Sequence, residues 1–307
     1  MTRRVKLILN PMADMGRAWN IARDLRTIVS EYGNADWSGT VYPGHATELA
    51  KQAGEDGYDL VVALGGDGTV HEVVNGLMLV DAEKRPTLGV VPIGSGNDFA
   101  FANGIPTSAN QAMSLALHGE ASPIDLGLMI AENGMRAYID NTIGIGFDAI
   151  VTIRSHKLPV VRGFMMYLVA VLQTILLNST PVRMKFESES KSWDKDVFML
   201  VFANGPREGG GFMMAPAARP DDGVLNYMIA DNVSRLMQLR LLPEFMKGTQ
   251  ESFDQVEMGE FKKISLTSNK PLYIHIDGEI YTNFDSKLKG LSVEIAPDAL
   301  KVVKPAK

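Results

Sequence analysis

Cysteine is missing from all 307 residues, which excludes disulfide frameworks, cysteine–zinc sites and cysteine nucleophiles. Positive charge is in short supply as well: 30 Lys and Arg face 36 Asp and Glu, a formal net charge of −6. A general nucleic-acid binder needs a basic face to displace counterions, so that class is disfavoured. No apolar run reaches the ~20 residues that span a bilayer. The longest, residues 163–177, is bounded by Arg162 and interrupted by Gln173 and Thr174. It predicts a packed helix; contact with lipid or a partner is the alternative, and spanning is not expected. The Gly-Lys-Ser/Thr of a P-loop and the Gly-x-Gly-x-x-Gly dinucleotide fingerprint are both absent, as are repeats and low-complexity tracts.

What is present is ordinary globular composition, 46% hydrophobic and 21% charged, in a chain longer than one core usually serves. Two domains are expected. The opening Met1-Thr2-Arg3-Arg4-Val5-Lys6 reads as the approach to a first strand rather than a secretion signal, so a cytoplasmic location is the expectation. The first third alternates strand and helix signals. Apolar runs at Val5–Leu9, Leu60–Leu64 and Leu88–Ile93 stop at Asn10-Pro11, Gly65-Gly66-Asp67-Gly68-Thr69 and Gly94-Ser95-Gly96-Asn97. Helices are predicted over 16–32 and 46–55, a strand over 40–42, and another helix after Thr69. Strand, turn, helix in repetition signals a parallel sheet with crossover helices, whose ligands bind beyond the carboxyl ends of the strands. After about Asp125 short strand signals dominate, at 138–143, 182–187, 197–203, 224–230, 263–267 and 272–276, with helices near 160–178 and 233–248. This predicts a largely antiparallel second domain, from which Leu291–Val303 returns to the first.

The turn Gly65–Thr69 carries the strongest local chemistry. Glycines at a strand end bring backbone N–H groups close to a ligand, and the helix that follows presents its positive end to an anion. Asp67 would repel phosphate unless a cation such as magnesium lies between; the alternative is an ordinary turn with Asp67 as helix N-cap. Gly94–Asn97 ends the next strand in the same way. Late in the chain, Asp221-Asp222-Gly223 and Asp277-Gly278-Glu279 put carboxylates in glycine turns. Each can be a hairpin; together with Asp67 they suggest an interdomain cleft holding metal and a general base, the parts that phosphoryl transfer needs. His275 and His71 are read as structural or surface residues. Arg154, His156, Lys157 and Arg162 form a basic cluster before the apolar run, and are read as a solvated face or as a membrane-docking patch.

The ordered set resembles the diacylglycerol kinase catalytic family, which includes bacterial lipid kinases and is related to sphingosine and ceramide kinases. It comprises Asn10-Pro11, Thr40 with Gly44-His45-Ala46, Gly65 to Gly76, Pro92 to Ala100, Ile124-Asp125-Leu126-Gly127, Gly144 to Asp148, Ala215-Pro216, Asp222 to Leu225 and Ile276 to Glu279. The resemblance implies an N-terminal three-layer Rossmann-like α/β domain, of the NAD kinase/diacylglycerol kinase type, and a C-terminal β-sandwich-like domain. The expected bounds are 1–125 plus approximately 291–307 for the nucleotide domain and 126–290 for the lipid-substrate domain. It implies an ATP-dependent lipid kinase using magnesium. Asn10, Thr40, Gly65, Gly66, Asp67, Gly68, Thr69, Val70, His71, Glu72, Ser95 and Asn97 would line the nucleotide site. Asp222, with the carbonyls of Arg219 and Val224, would hold a structural magnesium. Glu279, Asp277 and Asp67 are the candidate bases. Expected partners are ATP, a lipid alcohol and, transiently, a membrane surface; a homodimer is allowed and nucleic acid is not expected. An NAD kinase-like enzyme and a non-catalytic lipid- or nucleotide-binding regulator are the alternatives. Relatives often continue Asn-Pro with Ser/Ala-Gly, where this chain has Met12-Ala13-Asp14-Met15-Gly16.

Overall fold

The apolar runs of the first third are strands buried on both faces, as a parallel sheet covered by helices requires. In this computed structural model, which describes residues 2–155, 163–177 and 181–306, the elements begin β1 (Val5–Leu9), α1 (Ala18–Tyr32), β2 (Ala35–Gly39), α2 (His45–Glu55), β3 (Leu60–Gly65), α3 (Asp67–Met78), β4 (Thr87–Pro92), α4 (Asp98–Ala102) and α5 (Ala109–His118). They continue with β5 (Ala121–Ala131), β6 (Arg136–Ile139), β7 (Thr142–Gly146), α6 (Phe147–Ser155), α7 (Gly163–Leu177), β8 (Val182–Ser188), β9 (Ser192–Ala203), β10 (Leu225–Asp231) and α8 (Arg235–Lys247). The chain closes with β11 (Val256–Phe261), β12 (Lys263–Ser268), β13 (Ile274–Ile276), β14 (Glu279–Thr282) and β15 (Gly290–Val303). It forms two compact units, Met1–Ile124 with Asp298–Lys307, and Asp125–Pro297.

In the first unit β1 pairs in parallel with β2 on one side and β3 on the other, and β3 with β4. The order β2-β1-β3-β4 reverses between β1 and β3. Helix α1 packs on α5 and α2 on α3, as right-handed crossovers on the two faces demand. The β2 strand is Ala35–Gly39, not the predicted 40–42. Its residues are mostly exposed on the sheet edge, so no apolar run announced it, and Val41 stands 77% exposed beyond its end.

The second unit is a β-sandwich domain built around β9. Residues 192–197 of β9 pair antiparallel with β8, whereas 199–203 lie between β7 and β10. β8 continues to β12 and β15, β10 to β11, and β7 to β13 and β14. Strand alternation separates the side chains of β9. Leu200 and Phe202 enter the core with Phe186, Trp193 and Ile264. Met199, Val201 and Ala203 face the other way, into a cluster with Val151 of α6, Val171 and Ile175 of α7, and Leu241 and Phe245 of α8. The predicted strand 138–143 is instead two strands broken at Asp140 and Asn141, where a distant carboxylate takes their amides. The chain rejoins the first unit at Asp298, within the unbroken strand β15. No helix among the described residues is long and apolar enough to cross a membrane.

Candidate active site

At the carboxyl ends of the parallel strands stand Asn10 after β1, Thr40 after β2, Gly66–Thr69 after β3 and Gly94–Asn97 after β4. A strand order that reverses leaves a crevice at the reversal, here between β1 and β3. Asn10 crosses that point: its Nδ2 donates to Thr69 Oγ1 at 3.0 Å, and its Oδ1 accepts the Met12 amide at 3.0 Å. The Thr40 amide is tied to the end of β1 through Leu9 O at 2.9 Å. The two glycine loops touch backbone to backbone. A Cβ on Gly94 would lie 2.5 Å from Gly66 Cα, and one on Gly65 would lie 2.3 Å from Thr69 Oγ1. Asn97, at φ 53°, closes its own loop by exchanging side-chain hydrogen bonds with Gly94 N and O, both at 2.8 Å.

Asp67 is the first residue of α3, not its cap, which is Gly66. Its Oδ1 accepts the Phe99 amide at 3.2 Å, joining the two loops through the start of α4. Burial, and the charge of Asp98, push the Asp67 carboxyl up to about 7 despite the amides of α4. The other predicted residues divide between backbone and side-chain roles. Val70 is buried in the core, so only its backbone is near the loop. Glu72 accepts the amides of Gly44 at 2.7 Å and Ala46 at 3.0 Å, thereby capping α2. His71 is half-buried beside Asn75. Ser95 is exposed at the tip of its loop.

In the second unit the Asp-Gly pair does what its chemistry predicts. Asp277 (φ 52°) and Gly278 (φ 83°) form a two-residue turn between β13 and β14, with Ile276 paired to Glu279. Two positive φ values are the mark of the hairpin turn that favours Asp-Gly. Asp277 is buried. Its Oδ1 accepts the amides of Asn141 at 2.9 Å and Thr142 at 2.8 Å, and its Oδ2 that of Asp140 at 3.1 Å. Glu279 is exposed, with no hydrogen bond to its carboxylate among the described residues. Of the two carboxylates in this turn, one is an anchor and the other stands free.

The Arg219–Val224 loop is strapped to Asp125, whose Oδ2 accepts the Gly223 amide at 2.7 Å and whose amide donates to Pro220 O at 2.7 Å. Burial raises the Asp222 carboxyl. The Val224 amide opposes that rise, and the charges of Glu260, Asp125 and Asp221 add to it. Hard carboxylate and carbonyl oxygens amid gathered negative charge are the donor set that magnesium takes, so the residues present fit that ion.

Three residues that sequence reasoning either missed or left as structural converge in the interior of the second unit. His275 Nε2 lies 3.0 Å from Asp148 Oδ2 and 2.9 Å from Glu208 Oε1, all three residues being buried. No local motif announces a contact across 127 positions. Asp148 also lines an apolar cavity with Val171, Ile175, Phe198, Met214 and Phe245.

Residues 4–129 match the family described as "Diacylglycerol kinase catalytic domain", and residues 141–304 match the "YegS C-terminal NAD kinase beta sandwich-like domain". A "Probable lipid kinase YegS-like" of Chromohalobacter salexigens is 33% identical over 257 residues, covering 82% of this chain and 79% of that protein. A diacylglycerol kinase of Bacillus subtilis is 29% identical over 283 residues, 90% of each chain. A solved diacylglycerol kinase structure from Bacillus anthracis shares the fold, with a TM-score of 0.75 at 19% identity, covering 99% of this chain and 97% of that one. The fold is therefore that of diacylglycerol kinases, with an α/β half and a β-sandwich half. The chain belongs to the diacylglycerol kinase/YegS-like family of lipid kinases.

Proposed function

We propose that the chain transfers the γ-phosphoryl group of ATP to the hydroxyl of a diacylglycerol-like lipid alcohol, with magnesium. The observation that carries this reading is that one chain combines glycine loops built to meet an anion with an apolar cavity. The loops after β3 and β4 touch without side chains, which leaves backbone N–H groups and the α3 N-terminus to receive the triphosphate. The Asn10–Thr69 hydrogen bond ties the turn after β1 to the loop after β3, and Asp67 ties that loop to the one after β4. The cavity is narrow, about 30 Å³ open to water. Two of its wall residues, Met199 and Met214, are flexible side chains that repack readily around an acyl chain.

Glu279 is our candidate base, because its carboxylate alone in that turn is free to take a proton. In the step proposed, Glu279 accepts the acceptor's hydroxyl proton and the oxygen bonds to the γ-phosphorus. The bond from that phosphorus to the bridging oxygen of ADP breaks, and ADP leaves. Asp277 acts by positioning: it holds residues 140–142 and so fixes the turn from which Glu279 projects. Asp222 and the Arg219 and Val224 carbonyls would hold a structural magnesium, which when bound neutralises the acidic loop. Transient membrane contact is supported by helices α7 and α8, which expose Leu172, Leu176, Leu177 and Leu236 beside the exposed Arg235 and Arg240. Apolar and basic groups side by side suit an anionic bilayer. Of the basic cluster read from the sequence, His156, Lys157 and Arg162 lie outside the described residues.

The test is transfer of radiolabelled γ-phosphate from ATP to a panel in mixed micelles: diacylglycerol, phosphatidylglycerol, a sphingoid base and an undecaprenyl-type alcohol, with NAD as a water-soluble acceptor. Label in a lipid that depends on magnesium supports the proposal. Label in NAD alone, or in nothing, overturns it.

A further inference from the structure

The buried cluster of Asp148, Glu208 and His275 has no place in the phosphotransfer scheme. Its geometry is awkward for hydrogen bonding alone. An imidazole carries at most one hydrogen on Nε2, yet this nitrogen faces both Asp148 Oδ2, at 3.0 Å, and Glu208 Oε1, at 2.9 Å. One N–H cannot point well at both. Glu208 is 4% exposed, and its second oxygen, Oε2, is buried without a hydrogen-bond partner. Leaving such an atom unpaired costs ~1–3 kcal/mol, so a group that it could bind would relieve a real penalty. His275 Nδ1 also lacks a partner, under either reading, and does not discriminate.

Gly144 supplies an independent observation. A Cβ there would stand 2.1 Å from His275 Nε2 and 2.3 Å from Asp148 Oδ2. Gly144 lies in β7 directly opposite His275 of β13. The missing side chain leaves the ligand atoms clear at the point where they meet. The three side chains offer one donor atom each within 4.8 Å of one another. A metal 2.1 Å from its ligands sets neighbouring donors ~3.0 Å apart at right angles and ~3.4 Å apart in a tetrahedron. The two observed separations from Nε2 match the right-angled value.

We propose that Asp148, Glu208 and His275 bind a divalent transition ion of the Mn²⁺ or Fe²⁺ class in the interior of the β-sandwich unit. One imidazole and two carboxylates suit such ions better than Mg²⁺, which favours oxygen alone. Glu208 Oε2 supplies a fourth donor if its carboxylate binds through both oxygens. The site lies in one unit and stands or falls independently of ATP use.

The test uses the whole chain, refolded with Mn²⁺ in excess Mg²⁺ so that a sealed site can fill and oxygen-only sites are occupied by magnesium. After gel filtration, bound Mn²⁺ is counted by elemental analysis and its ligands are read by electron spin echo modulation. The expected result is one tightly held Mn²⁺ per chain with the modulation of a single imidazole nitrogen. Glu208→Gln, which preserves shape, should weaken retention by more than ~10-fold, and Asp222→Asn should leave the nitrogen signal unchanged. Should His275→Gln fail to fold, the spectrum of the unaltered protein still decides. Absence of retained Mn²⁺, bound Mn²⁺ without nitrogen modulation, or full retention in a folded Glu208→Gln protein would each overturn the proposal.

Discussion

Two conservative substitutions in one turn should behave oppositely. Asp277→Asn removes the charge and turns one acceptor oxygen into an NH2 group. If the remaining oxygen keeps the Asn141 and Thr142 amides, the Asp140 amide, now 3.1 Å from the acceptor Oδ2, faces a donor instead. A buried unpaired donor costs ~1–3 kcal/mol, and the two surviving bonds lose the extra strength of a charged acceptor. A total of about 3 kcal/mol lowers the melting temperature by roughly 6–12 °C for a unit of this size. Glu279→Gln touches an exposed side chain with nothing bonded to it, so stability should move by less than ~0.5 kcal/mol. Its kcat should fall ~10²–10⁴-fold with the KM for ATP unchanged, because it removes a proton acceptor and no binding group. Thermal melts followed by circular dichroism and steady-state lipid phosphorylation measure both. A Glu279→Gln protein with turnover within a few-fold of the parent, beside a fully stable but inactive Asp277→Asn, would refute the division of roles and place the base on Asp277.

Gly94→Ala should disturb the nucleotide loops. Its Cβ would press to 2.5 Å from Gly66 Cα and 2.9 Å from Asn97 Oδ1, and backbone cannot yield as a side-chain tip does. Overpacking of ~1–3 kcal/mol should appear as ATP binding weakened roughly tenfold or more by calorimetry; unchanged affinity would mean that the loops do not cradle the nucleotide. Ile175→Trp should fill the cavity of the second unit, raising the KM for long-chain acceptors while short-chain acceptors are still phosphorylated; equal effects on both would detach the cavity from acyl binding. Glu257 gives a pH prediction. Burial works to raise its carboxyl, but hydrogen bonds from Lys191, Trp193 and Lys195 win and hold it down at about 2. A carboxylate depressed on folding stabilises above its unfolded pKa and loses that contribution as pH falls, here between about 5 and 2. After screening by solvent the contribution is about 1–2 kcal/mol. Glu257→Gln should therefore destabilise at pH 7, by about half as much near pH 3, and hardly at all below pH 2 in denaturant titrations.

Central features were legible because their chemistry is local. Leu60–Leu64 ends in glycines, and no side chain but hydrogen fits where the loop after β3 meets that after β4, so strand, loop and helix were readable in order. Asp277-Gly278 announced a tight hairpin because few pairs accept two positive φ values. The edge strand β2 left no apolar pattern, since Ala35–Gly39 faces solvent, and the prediction slid to the nearby Thr40–Tyr42. Helix α6 was missed because it follows β7 without a break, in one apolar stretch. The return at Asp298 lies inside a strand and interrupts no pattern.

The residues at the site divide along the same line. The sequence by itself determined which carboxylates stand in glycine turns and which loops can approach an anion, because turn type and backbone access follow from the identities of one to five consecutive residues. It could not determine what those carboxylates do. Asp277 and Glu279 are two positions apart and chemically alike, yet one is consumed by the amides of residues 140–142 and the other is free. Asp148, Glu208 and His275 become neighbours only when β7, β9 and β13 pair and bring α6 over them. Long-range strand pairing sets burial and hydrogen-bond partners, and these decide whether an acidic side chain anchors the backbone, takes a proton or meets a cation.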